Sequence, residues 1–233
     1  PDEVVESCLA HIFFYGDKVF KLYKTHSDKD HFIKKVLAPT KQRVAFLEHD
    51  FTLNKHFSGE VYLKLHGVHY ADGIVNVTNY RSGTIYALTE MYRLDFDTNL
   101  HERLLRGDIV RDELVQLGYE TARAIDTCPI EIPANVNWYT LAKERLELLR
   151  QFLDWLPEEY SLLVKQTLVI EAFESHLERH RVEYEQISGS MLSINMDNHD
   201  ENVFFINGKP QFIDLLPPMQ SWWYGLAHAN LAN

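Results

Sequence analysis

Three side chains near the C-terminal end of the chain carry the most chemistry for their spacing: Asp197, Asn202 and Asp214. Asp197 and Asn202 belong to the run Asn195-Met196-Asp197-Asn198-His199-Asp200-Glu201-Asn202, which leads directly into Val203-Phe204-Phe205-Ile206. Asn207-Gly208 follows, then Pro210-Gln211-Phe212-Ile213 and Asp214. Asn-Gly between two β-rich runs specifies a tight hairpin, because both turn residues need positive φ. The ends of a hairpin are neighbours, so Asn202 and Asp214 are expected side by side, with Asp197 on the loop leading in. Two carboxylates and an amide oxygen converging on one place suit a hard divalent cation such as Mg2+. A carboxylate beside such a cation can orient a hydroxyl and accept its proton. Asp-x-x-x-x-Asn alone carries no information in a chain with 15 Asp and 12 Asn. Its weight comes from the strand before it, the hairpin after it and Ile213-Asp214 on the return. The plainer alternative is a polar loop whose Asp and Asn cap backbone amides.

Other reactive side chains are less organised. His176 and His180 stand at i and i+4, the spacing of a zinc pair on one helical face, but no third ligand accompanies them and a solvated face is expected. Cys8 and Cys128 are far apart, without C-x-x-C spacing, and make neither a disulfide framework nor a closed zinc site. There is no Gly-x-Ser-x-Gly elbow and no Walker-type loop, which counts against serine hydrolases and ordinary NTPases.

The elements that must position these groups fall into two regions. Residues 11–15 and 19–23 are aromatic and β-branched runs joined by Gly16-Asp17-Lys18, a hairpin signal. A helix is expected from about Lys34 to Phe57, ending at Gly59, and strands over 61–65, 74–78 and 84–91. After Met91 the periodicity turns helical, over 99–106, 109–126, 138–155 and 158–181. The expected organisation is a sheet lobe with one helix, 1–92, followed by a helical lobe, 93–233, containing the loop and hairpin.

Composition narrows the function classes. The 233 residues are 45% hydrophobic and 24% charged, with 23 basic against 34 acidic side chains and a net charge of −11. So acidic a chain is a poor partner for nucleic acid or an anionic membrane. No stretch approaches the roughly 20 apolar residues of a bilayer span, and Pro1-Asp2-Glu3 does not open a signal peptide. A cytoplasmic globular protein is expected. The charge is polarised: residues 18–64 carry ten basic and five acidic side chains, residues 171–214 nine acids against Arg179, Arg181 and Lys209. Facing each other, two such regions suit an anion and its counter-metal.

The catalytic-loop-like run, the hairpin and the two-part layout together resemble the aminoglycoside phosphotransferase-like enzymes, the small-molecule branch of the protein-kinase-like fold. Their loop has the form His-Gly-Asp-x-His-x-x-Asn before a hairpin and an Ile/Phe-Asp, and the run 195–202 keeps its Asp, second His and Asn in register. Tyr86-Ala87-Leu88 into Met91-Tyr92-Arg93-Leu94 is similar to the link between the lobes in this group. The resemblance implies an α+β, two-lobed fold with a small antiparallel-sheet N-lobe and a helical C-lobe. It implies ATP and Mg2+ as cofactors and a small-molecule hydroxyl as acceptor. Asp197 would be the catalytic base, with Asn202 and Asp214 as the metal ligands. Lys21, in Val19-Phe20-Lys21, would meet the nucleotide phosphates; a lysine inside an aromatic strand is costly to bury without such a partner. A helix carboxylate would orient it: Glu48 is favoured for its reach, with Asp50 left open. Adenine would lie beside the backbone of Glu90, Met91 and Tyr92.

Three departures accompany the resemblance. Asn195-Met196 stands where the family has His-Gly, and Glu6-Ser7-Cys8-Leu9-Ala10-His11 takes the place of a glycine-rich phosphate loop. Only 19 residues follow Asp214 (233 − 214), so the helical lobe is expected to be C-terminally truncated, either as a fragment or as a lobe completed by another chain. Two alternatives stand beside the phosphotransferase. One is an inactive, nucleotide-binding pseudokinase that serves as an interaction module. The other is a metal-dependent hydrolase using Asp197, Asp200 and Glu201.

Overall fold

The structure, a computed structural model, describes residues 1–7, 9–26, 33, 37–128, 135–153, 164–187, 192–194, 199–215 and 224–226. It is α+β. Contacts divide the chain into two compact units, the first made of Pro1–Cys128 with Asp197–Pro217, the second of Pro129–Met196 with Pro218–Asn233. The division does not fall at residue 92. Helices after the sheet, and the hairpin far along the chain, pack with the sheet-bearing unit.

The first unit is built on a six-stranded antiparallel sheet. Its strands are β1 (Glu3–Glu6), β2 (Ala10–Tyr15), β3 (Lys18–Tyr23), β4 (Tyr62–Ala71), β5 (Ile74–Asn79) and β6 (Ala87–Tyr92), in the order β1-β2-β3-β6-β4-β5. The β2–β3 turn uses Gly16 at φ +55°, as the Gly-Asp-Lys link leads one to expect. β1 has no counterpart in the sequence reading: Glu-Val-Val-Glu is four residues long and wholly exposed, so it lacks the alternation that marks a strand.

Helix α1 (Thr40–Phe57) begins six residues later than its periodicity suggests. Pro39 is its N-cap residue, in the extended conformation, and the backbone before a proline is itself disfavoured in helix. Its buried side is a stripe of Arg43, Phe46, Leu47, Asp50, Leu53, Asn54 and Phe57. Helices α2 (Leu100–Arg106) and α3 (Arg111–Asp126) follow the sheet. Asn99 caps α2, accepting the amides of His101 and Glu102 on Oδ1.

The hairpin of β8 (Val203–Ile206) and β9 (Lys209–Phe212) forms as its sequence dictates, with Asn207 and Gly208 at φ +52° and +75°. It packs on α1, α2 and α3; Phe212 meets Phe57 edge-on at 6.3 Å between ring centroids.

In the second unit, α4 (Trp138–Leu153) and α5 (Val164–Arg179) close a core of Ala142, Leu146, Ile170 and Leu177. Lys143 reaches both Glu174 and Glu178 at 2.9 Å. Helix α5 stops at His180, and a short α6 (Arg181–Glu185) follows in place of one continuous helix to 181. Strands β7 (Leu192–Ile194) and β10 (Tyr224–Leu226) pair antiparallel. No helix among the described residues is long and apolar enough to cross a membrane.

Candidate functional site

Strand alternation puts Val19, Lys21 and Tyr23 on the buried face of β3. Lys21 is only 8% exposed, opposite the buried Thr89 of β6, and its ammonium forms an ion pair with Asp214. Burial works against the charged lysine, but the charges of Asp214 and then Asp50 outweigh it and hold its pKa above the ordinary value. Lys24 is turned elsewhere, donating to the Ser7 carbonyl and pairing with Glu6 at 2.7 Å.

The helix carboxylate on the lysine side is Asp50. It is 3% exposed; Oδ2 accepts the Tyr23 hydroxyl at 3.0 Å and Oδ1 accepts Asn54 Nδ2 at 3.0 Å. Burial, opposed by Lys21 and reinforced by Asp214, pushes its carboxyl up to about 6. The expectation that Glu48 orients Lys21 is therefore corrected. Glu48 lies off the buried stripe of α1, and its Oε1 accepts Tyr80 OH at 2.9 Å, Ser82 Oγ at 2.7 Å and the Gly83 amide at 3.3 Å.

Asp214 stands just past β9 with φ +53°, a left-handed conformation that Asp tolerates better than most residues. The bend is clamped from three sides: Phe212 N–H donates to Ser58 Oγ, Asp214 N–H to Tyr62 OH at 3.0 Å, and Leu215 N–H to Asn54 Oδ1 at 3.0 Å. Burial, then the Asp214 charge, raises the Tyr62 phenol well above its usual pKa, so it stays a neutral acceptor. Asn202 and the return strand meet as the hairpin requires, with Ile213 N–H donating to the Asn202 carbonyl at 2.9 Å. Asn99 Nδ2 donates to the Glu201 carbonyl at 2.8 Å and pins the same junction to the start of α2. Asp197 lies outside the described residues.

Buried Lys21 and Tyr62, with the half-exposed Asp214, supply a polar wall of a cavity of about 820 Å3, a volume in the range of cofactor sites. Val19, Val61, Met91, Phe204 and Ile213 give it apolar walls, and residues 92–96 line it as well. Met91 and Tyr92 therefore border the space named for them. Glu90 does not: it is on the opposite face of β6, with Oε2 bonded to His66 Nε2 at 2.6 Å. The Tyr92 amide is spent on the Val61 carbonyl at 2.9 Å. Leu94, which also lines the cavity, has an amide with no acceptor among the described residues. Sequence reasoning placed Leu94 in the link without giving it a role, and missed Tyr62 and Asn54.

In the segment 6–11, Glu6 ends β1 and Ala10 and His11 open β2, and Cys8 lies outside the described residues. Ser7 N–H donates to the Ala10 carbonyl and Ala10 N–H to Ser7 Oγ, at 2.9 and 3.0 Å, so these two residues bond to each other. Of the acidic residues before the hairpin, Asp200 is held by His101 Nδ1 at 2.8 Å. His176 and His180 have ring centroids 4.6 Å apart, with His176 Nε2 3.0 Å from Tyr184 OH. No group of three metal-ligating His, Cys, Asp or Glu side chains occurs among the described residues.

No protein-family model matches this chain, and comparison with curated proteins gives no match.

Proposed function

We propose that the chain is an ATP-dependent phosphotransferase of the aminoglycoside phosphotransferase-like, protein-kinase-like type, moving the γ-phosphate to a hydroxyl of a small molecule. The observation that carries this reading is the Lys21–Asp214 pair in the wall of an apolar cavity bordered by Met91, Tyr92 and Leu94. A buried cation beside a carboxylate suits a polyphosphate and its counter-metal, and the apolar walls suit a flat heteroaromatic base. The charges of Asp214 and then Asp50 keep Lys21 protonated, and its ammonium lies 4.9 Å from the centre of the Tyr23 ring. The Leu94 amide offers a donor to the edge of the base.

Mg2+ fits the donor set at Asp214 and Asn202. Both supply hard oxygen, the hairpin makes them neighbours, and the Asp214 side chain remains 44% exposed while one oxygen is held by Lys21. Bound there, the cation would neutralise phosphate charge. The chain's own part is positioning: Lys21 meets phosphate oxygens, the clamp from Ser58, Tyr62 and Asn54 fixes the Asp214 backbone, and Asp197 orients the acceptor hydroxyl and takes its proton.

A second reading, nucleotide binding without transfer, is favoured by the mutual bonds of Ser7 and Ala10, whose amides are consumed where a phosphate loop would offer them. The thermal midpoint with ATP, with Mg2+ and with both tests the shared premise. A rise that needs both together, lost in Asp214→Asn, is expected; no rise on the folded chain removes both readings. Phosphate transfer from labelled ATP to a panel of amino alcohols and sugars then separates them.

A further inference from the structure

Among the described residues the six-stranded sheet ends at β5, and this edge lacks the features that usually block strand-to-strand association. Ile74–Asn79 contains no charged residue and no proline, and all six residues are exposed. The opposite edge, β1, is shorter and begins and ends in glutamate. Val75 is 61% exposed and Val77 53%, and Tyr70, beside Val75 on β4, is 75% exposed. Alternation places these three on one face of the sheet.

The ladder fixes which backbone groups the edge presents. Val68 N–H donates to the Tyr86 carbonyl at 2.8 Å, on the β6 side of β4. Val68 thus turns its backbone groups away from β5, and its partner Val77 turns its own away from β4. By alternation Val75, Val77 and Asn79 all present N–H and C=O outward.

We infer that β5 is a self-association edge, which pairs antiparallel with β5 of a second copy about a two-fold axis at Val77. Such an axis sets one residue opposite its own counterpart. With Val77 there, Val75 of each copy meets Asn79 of the other, and all three outward-facing residues exchange paired hydrogen bonds. The two Tyr70–Val75–Val77 faces join into one apolar surface. Asp72 and Arg81 bracket the strand, and this register brings Arg81 of one copy next to Asp72 of the other. Two chains that each carry −11 repel in general. A charge-free strand with flanks of opposite sign is where they can approach, and an unrelated extended segment would not match those flanks. The contact is at the small end of specific interfaces, so a dissociation constant in roughly the micromolar range is expected.

Sedimentation velocity of the full chain from about 1 to 100 µM tests this, with a concentration-dependent dimer as the expected result. Val77→Lys sets two ammonium groups face to face across the axis at an exposed position, and should weaken the dimer by at least about tenfold while leaving the circular dichroism spectrum unchanged. Val77→Cys should form a covalent dimer on mild oxidation, since self-opposed residues lie about 5.5 Å apart between Cα atoms, within disulfide reach. The wild-type chain, with Cys8 and Cys128, sets the background, and Leu105→Cys on the exposed surface of α2 should not exceed it. A chain that is monomeric throughout overturns the inference, whether or not it binds an added extended peptide at β5. So does a dimer that Val77→Lys leaves intact.

Discussion

Lys21 and Asp214, 193 residues apart in the chain, are ion-paired in the wall of one cavity. Neither is placed by the contact itself. Lys21 is carried in by strand alternation next to Val19 and Tyr23, and Asp214 by a left-handed bend whose flanking amides are taken up by Ser58, Tyr62 and Asn54. The C-terminal half of α1, with its C-cap residue Ser58, therefore does two jobs. Asp50 faces the lysine, and Asn54 and Ser58 hold the backbone around the aspartate. Asn54 joins them, bonding Asp50 through Nδ2 and Leu215 through Oδ1.

Lys21→Met should destabilise the fold in a pH-dependent way. It leaves Asp50 buried without its counter-charge, and removing one partner of a buried pair is strongly destabilising. The expected loss is about 2–4 kcal/mol at pH 7, moderated because the half-exposed Asp214 is solvated. Near pH 5 the loss should shrink, because Asp50 then carries a proton and has little charge to strand. Urea unfolding at the two pH values measures the difference; an equal loss at both would mean that Lys21 stabilises by packing alone.

Asp50→Asn separates the two helix carboxylates. The folded-state carboxyl of Asp50 lies at about 6, above the roughly 3.9 of an unfolded chain, so the folded state holds the proton more tightly. Its contribution to stability is fully present below about pH 4 and is lost as the pH rises through about 6. Wild type should therefore lose about 2–3 kcal/mol relative to Asp50→Asn between pH 4 and pH 7. Glu48→Gln should show no such dependence near pH 6, because Glu48 is held below its usual value by Ser82, and by Tyr80 and Gly83. Its effect should be faster amide exchange across residues 80–83.

The choice between Asp50 and Glu48 also shows what the sequence could yield. The buried stripe of α1 runs Phe46, Leu47, Asp50, Leu53, Asn54, Phe57, and Asp50 sits on it while Glu48, two residues away, points about 160° around the helix from Asp50. That phase was readable, but Asp50 and Asn54 are polar and weaken the hydrophobic pattern that would have revealed it. Side-chain reach was the wrong criterion. The hairpin at Asn207-Gly208 and the inward Lys21 were legible, because turn chemistry and two-residue alternation are local rules. The α+β class was legible for the same reason. Tyr62 and Asn54 were not, since each acts on a segment more than 150 residues away. Nor was the division into units, which follows from the packing of β8 and β9 on α1, α2 and α3.

Asn54→Ala should loosen the Asp214 bend. It leaves the buried Leu215 amide without its acceptor and removes a donor from Asp50. A buried amide left unsatisfied costs about 1–3 kcal/mol, and urea unfolding should show a loss of that size. Hydrogen exchange at residues 213–215 should accelerate more than the global loss explains. If exchange there merely follows global stability, Asn54 is a packing residue and does not fix the bend.

Leu94→Pro tests the base-binding end of the cavity separately from the phosphate end. The Leu94 amide has no acceptor among the described residues, so replacing it removes no hydrogen bond among them. Arg93 is pushed toward extended backbone by a following proline, which is compatible with its own amide bonding the Asp17 carbonyl at 2.8 Å. If the amide donates to the adenine edge, its loss should weaken ATP binding by roughly tenfold, the size of one hydrogen bond. Binding of Mg2+-tripolyphosphate, which has no base, should be unchanged, because Lys21 and Asp214 are untouched. Calorimetric titration of both ligands gives the comparison. An equal loss for the two would mean that the substitution distorts the cavity as a whole, and no loss for ATP would place the base away from residues 92–96.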